Sequence, residues 1–210
     1  MQPRLVVVGF GNVGQAIVRG AIQSGIAAPS EIGVIDLDPI RVDEARAMGL
    51  RAVAAGAVAE AEFVVLAVKP QHFAQAVAPL GTLGADGPLV VSVMAGVRSD
   101  AIRAALGGAA RVVRTMPNTP AAVRRGITAV ASDARVSEQD LERAEQLFAS
   151  VGRTVRVPES LFDAVMAVSG SGPGFVFCFC GACTQAAEDL GLPSETARVL
   201  ARETLVGSAA

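Results

Sequence analysis

Short runs of almost purely apolar residues recur between Arg4 and Met116, and each is followed by a stretch with helical spacing. The runs are "RLVVVGF", "EIGVID", "RAVA", "EFVVLAV", "PLVVSVM" and "RVVRTM". A strand with one wet face alternates apolar and polar residues, whereas these do not, so they belong to a sheet covered on both faces. Between the first two runs, Asn12 to Ser24 carries Val13, Ala16, Ile17 and Ala21 on one helical face. Pro39 to Met48 follows the second run. Pro70 opens a helix after the fourth, a favoured proline position, and Ser99 is placed to cap a helix reaching Leu106. Strand and helix repeated in this way predict an α/β fold with a Rossmann-type, doubly wound, mostly parallel sheet. With aromatics at 4% and no Trp or Tyr, the core has to be Val, Ala, Leu and Ile.

The sixth run walks into Met116-Pro117-Asn118-Thr119-Pro120, where two prolines stop any strand or helix and stiffen the loop. Beyond it "GITAVAS" reads as another strand. Ser137 with Asp140 resembles a capping box for a helix to Val151, and "RTVRV" reads as the last strand. From Pro158 the pattern is helical only: Pro158 to Val168, Pro173 to Leu190 and Ser194 to Val206. The expected organisation is a sheet domain over 1–157 and a helical region over 158–210.

Several classes are disfavoured. A net charge of −2 does not suit a nucleic-acid partner. The opening "MQPRLVVVGFG" has no signal-peptide form. "SGSGPG" interrupts the longest apolar stretch, Ala164 to Ala187, which favours a buried helix pair over a membrane span. Cys178, Cys180 and Cys183 suggest reduced thiols in a cytoplasmic protein. On a helix the first two point about 200° apart, so they read as core side chains and no metal site is expected.

Gly9-Phe10-Gly11-Asn12-Val13-Gly14 fits G-x-G-x-x-G between a strand and a helix, the dinucleotide fingerprint. Gly9 makes the turn, Gly11 admits a pyrophosphate to the helix N-terminus, and Gly14 lets helix and strand approach. Asp36 ends the second strand, where a carboxylate accepts hydrogen bonds from ribose and repels a 2′-phosphate. That favours NADH over NADPH, with Arg41 nearby to soften the repulsion. Val68-Lys69-Pro70 and Ala95-Gly96 end the fourth and fifth strands, on the edge where the cofactor cleft should lie. His72, the lone histidine, reads as a surface residue.

Taken together, "GFGNVG", "AVKPQ", "SVMAGV", "VRTMPNTP" with Gly126 beyond it, and "SGSGPG" before a long helix resemble pyrroline-5-carboxylate reductase, from the first strand to the last residue. The resemblance implies reduction of the cyclic imine 1-pyrroline-5-carboxylate to L-proline by hydride from NADPH or NADH, and a homodimer or higher homo-oligomer. It implies that Met116, Pro117 and Asn118 border the nicotinamide. Asn118, with both a donor and an acceptor, would recognise a carboxamide or position the imine carboxylate. Ser169, Ser171 and Gly172 would approach the substrate, and Thr204 matches a common family position. Gly174 departs from the family's usual alanine. The family also carries a further segment with a Pro-Gly-Gly-Thr type motif after the position of Ala210, so a truncated helical domain is expected. Glu159 and Asp163 match acidic family positions without an assigned proton role. A protonated imine is already electrophilic, which fits the lack of an evident acid–base pair. Two other readings stay open. One is a 3-hydroxyacid-type dehydrogenase, which would need an interdomain lysine although Lys69 is the chain's only one. The other is a non-catalytic NAD(P)H-binding module.

Overall fold

The structure, a computed structural model, describes residues 2–131 and 135–209. Eight strands form one sheet: β1 (Leu5–Val8), β2 (Ile32–Ile35), β3 (Arg51–Ala52), β4 (Phe63–Leu66), β5 (Leu89–Ser92), β6 (Val112–Met116), β7 (Gly126–Ala131) and β8 (Gly152–Arg156). Their order is β3-β2-β1-β4-β5-β6-β7-β8. All neighbours pair in parallel except β6 and β7, where Met116 opposes Ala129. The expected Rossmann-type sheet is present, and the chain reverses direction where the proline-braced loop sits. The seventh run's expected end at Ser132 lies outside the described residues.

Burial follows the period of two along each strand. On β1, Leu5 and Val7 face one core while Val6 and Val8 face the other. The first core is closed by helices α1 (Asn12–Gln23) and α5 (Glu138–Ala149), which contribute the fully buried Ile17 and Phe148. The second is closed by segments around Leu80, Ile102 and Leu106. Each such side chain stabilises the fold by about 1.5–3 kcal/mol on leaving water. Helix α2 (Pro39–Ala47) starts on a true cap, Asp38 accepting from the Ile40 N–H at 2.9 Å. Helix α5 starts on Ser137, as expected.

Two local expectations need correction. Ser99 does not cap α4 (Ser99–Ala105); it is the first residue of that helix, and its own N–H and hydroxyl both donate to the Glu159 carboxylate. Nor does "SGSGPG" break the helical region. After the short helices α3 (Phe73–Val77) and, beyond β8, α6 (Phe162–Val165), the chain makes a π-turn over Met166–Gly170 and runs on into α7 (Gly172–Asp189). The Ser171 N–H donates to the Met166 carbonyl at 2.8 Å, five residues back. Pro173 is absorbed because the first turn of α7 has no use for its missing N–H.

The final helices are also not a buried pair. No residue of α7 is buried, and on α8 (Ser194–Ser208), which packs against α7, only Ala197 is. Phe175 is 68% exposed and Phe179 58%. Cys178 is exposed, and Cys180 and Cys183 are half-buried, so none is a core thiol. Glu159–Asp189 is long and apolar enough to cross a membrane by length and composition.

Candidate functional site

The carboxyl end of β1 turns sharply at Gly9, whose φ of +97° only glycine adopts freely. A Cβ there would lie 2.7 Å from the Ala67 carbonyl carbon, so the turn is pressed against the chain leaving β4. Gly14 is tighter still: a Cβ would approach the Gly9 carbonyl oxygen to 2.3 Å. Gly11 has the opposite surroundings, with nothing within 4 Å of a built Cβ. Gly9 thus makes the turn and Gly14 the close approach of helix and strand, as expected, while Gly11 is left open at the start of α1.

A crevice of about 470 Å³ lies against this turn. Of the sequence-derived residues, Gly9, Gly11, Asp36, Val68 and Lys69 line it. Phe10 is fully buried behind the turn and contributes its backbone; Gly14 is buried; Asn12 and Val13 are exposed on the first turn of α1. Pro70 starts the turn beneath Lys69. Arg41 and His72 also line the crevice. Asp38 is a lining residue that the sequence reading missed, although the rule that ligands sit beyond strand carboxyl ends covers the turn following β2.

Asp36 is already engaged. One carboxylate oxygen accepts from the Phe10 N–H at 2.6 Å and the other from the Asp38 N–H at 2.9 Å. It therefore clamps the glycine turn to the end of β2 and presents a fixed negative charge. Arg41 does not offset it freely, because Arg41 pairs with Glu44 at 2.8 Å.

The remaining sequence-derived residues form a second group. Ala95 and Gly96 follow β5, Met116 ends β6 and Pro117 and Asn118 follow it, all on the same sheet edge, but none lines the crevice. β6 stands three strands from β1, roughly 14 Å at the usual interstrand spacing. Asn118 is the most constrained of them. Its Oδ1 accepts from the Ile127 N–H at 3.0 Å, and its Nδ2 donates to the Ser169 carbonyl at 3.1 Å. The amide expected to read a ligand is thus spent, for one donor and one acceptor, on joining β7 to the π-turn. That brings Ser169 beside β6, with Gly170 against Met116. Ser171 and Gly172 follow directly, at the start of α7. Thr204 stands apart, exposed on α8.

A second tie joins the same segments, and no local pattern of residues announces it. Arg114 on β6 is buried, lies 4.7 Å over the Phe162 ring, and donates to Glu159 at 3.1 Å. Burial alone would raise the Glu159 carboxyl. The Ser99 hydroxyl and N–H, together with Arg114, outweigh it and hold the group below its ordinary value. Among the described residues, no group of three or more His, Cys, Asp or Glu is placed to hold a metal ion.

Residues 4–96 match the family model described as NADP oxidoreductase, coenzyme F420-dependent, and residues 159–210 match that of pyrroline-5-carboxylate reductase dimerisation. The pyrroline-5-carboxylate reductase of Methanosarcina acetivorans is 37% identical over 205 residues, covering 96% of this chain and 76% of that protein. That of Pseudomonas aeruginosa is 38% identical over 213 residues, covering 99% and 77%. Among solved structures, a pyrroline-5-carboxylate reductase from Coxiella burnetii superposes with a TM-score of 0.88 at 32% identity, covering 100% of this chain and 79% of that one.

Proposed function

We infer the function from one premise: the chain belongs to the pyrroline-5-carboxylate reductase family. It is an oxidoreductase that reduces 1-pyrroline-5-carboxylate to L-proline with a hydride from NAD(P)H. The observation that carries this is the length of the match. Relatives bearing that name align from the first strand to the last helix, at identities near 37%. The hydroxyacid-dehydrogenase and binding-module readings have no comparable support.

The chain's own residues suit such a dinucleotide. Gly11 leaves an open approach at the amino end of α1, where N–H groups attract phosphate. Asp36 presents a fixed carboxylate where an adenosine ribose would lie, which supports a preference for NADH. Lys69 and His72 line the crevice's other wall and suit phosphate or ribose oxygens. The bound cofactor supplies the hydride; the protein's part is placement. We assign Asn118 to positioning: through its two hydrogen bonds it fixes Ser169, and with it Ser171 and Gly172, against the end of β6. Backbone N–H groups at the start of α7 suit the imine carboxylate. The domain boundary falls at Val157, and catalysis is cytoplasmic. The exposed apolar surface of α7 and α8 is covered by a second copy of the chain, in keeping with the dimerisation model matched by residues 159–210.

The test has two stages. NADH and NADPH are titrated by fluorescence, with tighter binding of NADH expected. The imine is then added and absorbance followed at the reduced-nicotinamide band. Imine-dependent oxidation is the expected result; tight dinucleotide binding with no such oxidation, in the chain extended to full family length, would overturn the reductase reading in favour of a binding module.

A further inference from the structure

A second hollow, of about 460 Å³, lies beside β8, the edge strand on the other side of the sheet from β3, between the starts of β7 and β8 and the end of α5. It shares no lining residue with the dinucleotide crevice. Arg124, Arg125 and Arg153 line it, and no lining residue is acidic. This is unusual within the chain. Arg4, Arg41, Arg46, Arg98, Arg111, Arg114, Arg143, Arg156, Arg198 and Arg202 each have a carboxylate within ion-pair distance. Among the described residues, the three around the hollow have none.

Arg124 is held in place by neutral acceptors, with no carboxylate partner among the described residues. It is the described non-glycine residue with positive φ, at 58°, a conformation costing about 1–2 kcal/mol for a residue with a Cβ. Its Nε donates to the Ser150 carbonyl at 3.0 Å, a neutral acceptor, so the guanidinium is ordered yet keeps its full charge. The floor beneath is rigid: a Cβ at Gly152 would lie 2.0 Å from the Gly126 carbonyl oxygen. A charge placed to blunt a sheet edge would explain Arg153, which is on the edge strand β8. It does not explain Arg124 and Arg125, which precede β7 in a turn.

We propose that this hollow binds a small phosphorylated molecule, a mono- or diphosphate, at a site separate from the dinucleotide crevice. Guanidinium forks match phosphate oxygens two at a time, and an ordered fork loses less entropy on binding than a free one. The volume lies within the ~300–1,000 Å³ usual for small-molecule sites. The wall of the hollow is also the tail of the Asn118 loop. The Arg125 N–H donates to the Pro120 carbonyl, and the Ile127 N–H to Asn118. An occupant there braces the loop that holds Ser169.

The test is calorimetric titration of the full chain with sodium pyrophosphate at low ionic strength, alone and with saturating NADPH. One equivalent is expected to bind in both cases. In the double variant Arg125→Gln/Arg153→Gln, whose wild-type side chains have no carboxylate partner to lose, affinity should fall at least about tenfold. Arg124→Gly, which the backbone accepts without strain, should weaken binding while leaving the melting temperature no lower. No binding by the wild type, undiminished binding in the double variant, or displacement by NADPH would each overturn the proposal. Citrate binding more tightly than pyrophosphate would overturn the choice of phosphate. Dinucleotide affinity is measured separately by fluorescence, so failure here leaves the reductase reading untouched, and the reverse also holds.

Discussion

Phe148 and Phe179 are the same side chain in two regions of one molecule. Phe148, on α5, is fully buried in the core that α1 and the sheet close between them; Phe179, on α7, is 58% exposed. Apolar content is high in both regions, so composition does not separate them. What separates them is whether the chain itself provides the opposing surface. The sheet domain has helices on both faces of its strands and so completes two cores. The helical arm has only a pair, α7 against α8, and a pair leaves most of each helix open. The sheet domain's stability is therefore intrachain. The arm leaves its apolar faces uncovered within the chain, and its residues 159–210 match a family model described as dimerisation.

Four measurements test that contrast. Phe148→Ala should destabilise the sheet domain by about 3–5 kcal/mol in urea unfolding, because it opens a cavity in a closed core. A loss below about 1 kcal/mol would mean that this core is not the stable half. Gly14→Ala should weaken dinucleotide binding about a hundredfold by fluorescence titration, since its methyl cannot fit against the Gly9 carbonyl, while far-UV dichroism stays near wild type.

Glu159→Gln addresses the joint between the regions and should cost about 1–3 kcal/mol at neutral pH. The wild-type carboxyl titrates lower in the folded protein than its ordinary 4.5, despite burial, because Ser99 and Arg114 hold its charged form. Its contribution is therefore fully present above the unfolded-state value and fades as pH falls through the lower folded value. The wild type's advantage over Glu159→Gln should shrink progressively as pH falls below the ordinary 4.5, in urea midpoints taken against pH. An advantage that grows on acidification would refute the assigned direction. The smallest effect should come from Phe179→Ala. In dilute chain its stability change should stay within about 0.5 kcal/mol, yet sedimentation should show at least a tenfold weaker self-association. Equal losses at Phe148 and Phe179 in dilute chain would erase the distinction between the regions.

The same contrast marks what the sequence discloses. The strands are legible because "LVVV" and "FVVL" have no wet side, and the glycine turn because each glycine has a separate steric duty. Ser137 is legible as a cap because its partner, Asp140, is three residues away. Ser99 misleads because its actual partner, Glu159, is sixty residues further along, and no local pattern carries that information. Asn118 stands out between its prolines, but its hydrogen bonds go to Ile127 and Ser169, which only the fold brings within reach. The apolar character of α7 is plain; its lack of cover within the chain is not, since periodicity reports that a face is greasy and not which surface lies against it. Gly-Ser-Gly-Pro looks like a stop signal because each residue disfavours a helix interior. A widened turn satisfies the backbone around them instead.

That widened turn sets the aim of both helices beyond it. Each residue of a helix turns its successor by about 100° and advances it about 1.5 Å. A single deletion within Met166–Gly170 would swing α7 and α8 to a new azimuth without altering one side chain on either. In a lineage of such chains, insertions and deletions should be tolerated in the surface loop before β5 and purged from these five positions, where one codon more or less would re-aim the exposed apolar faces of the arm.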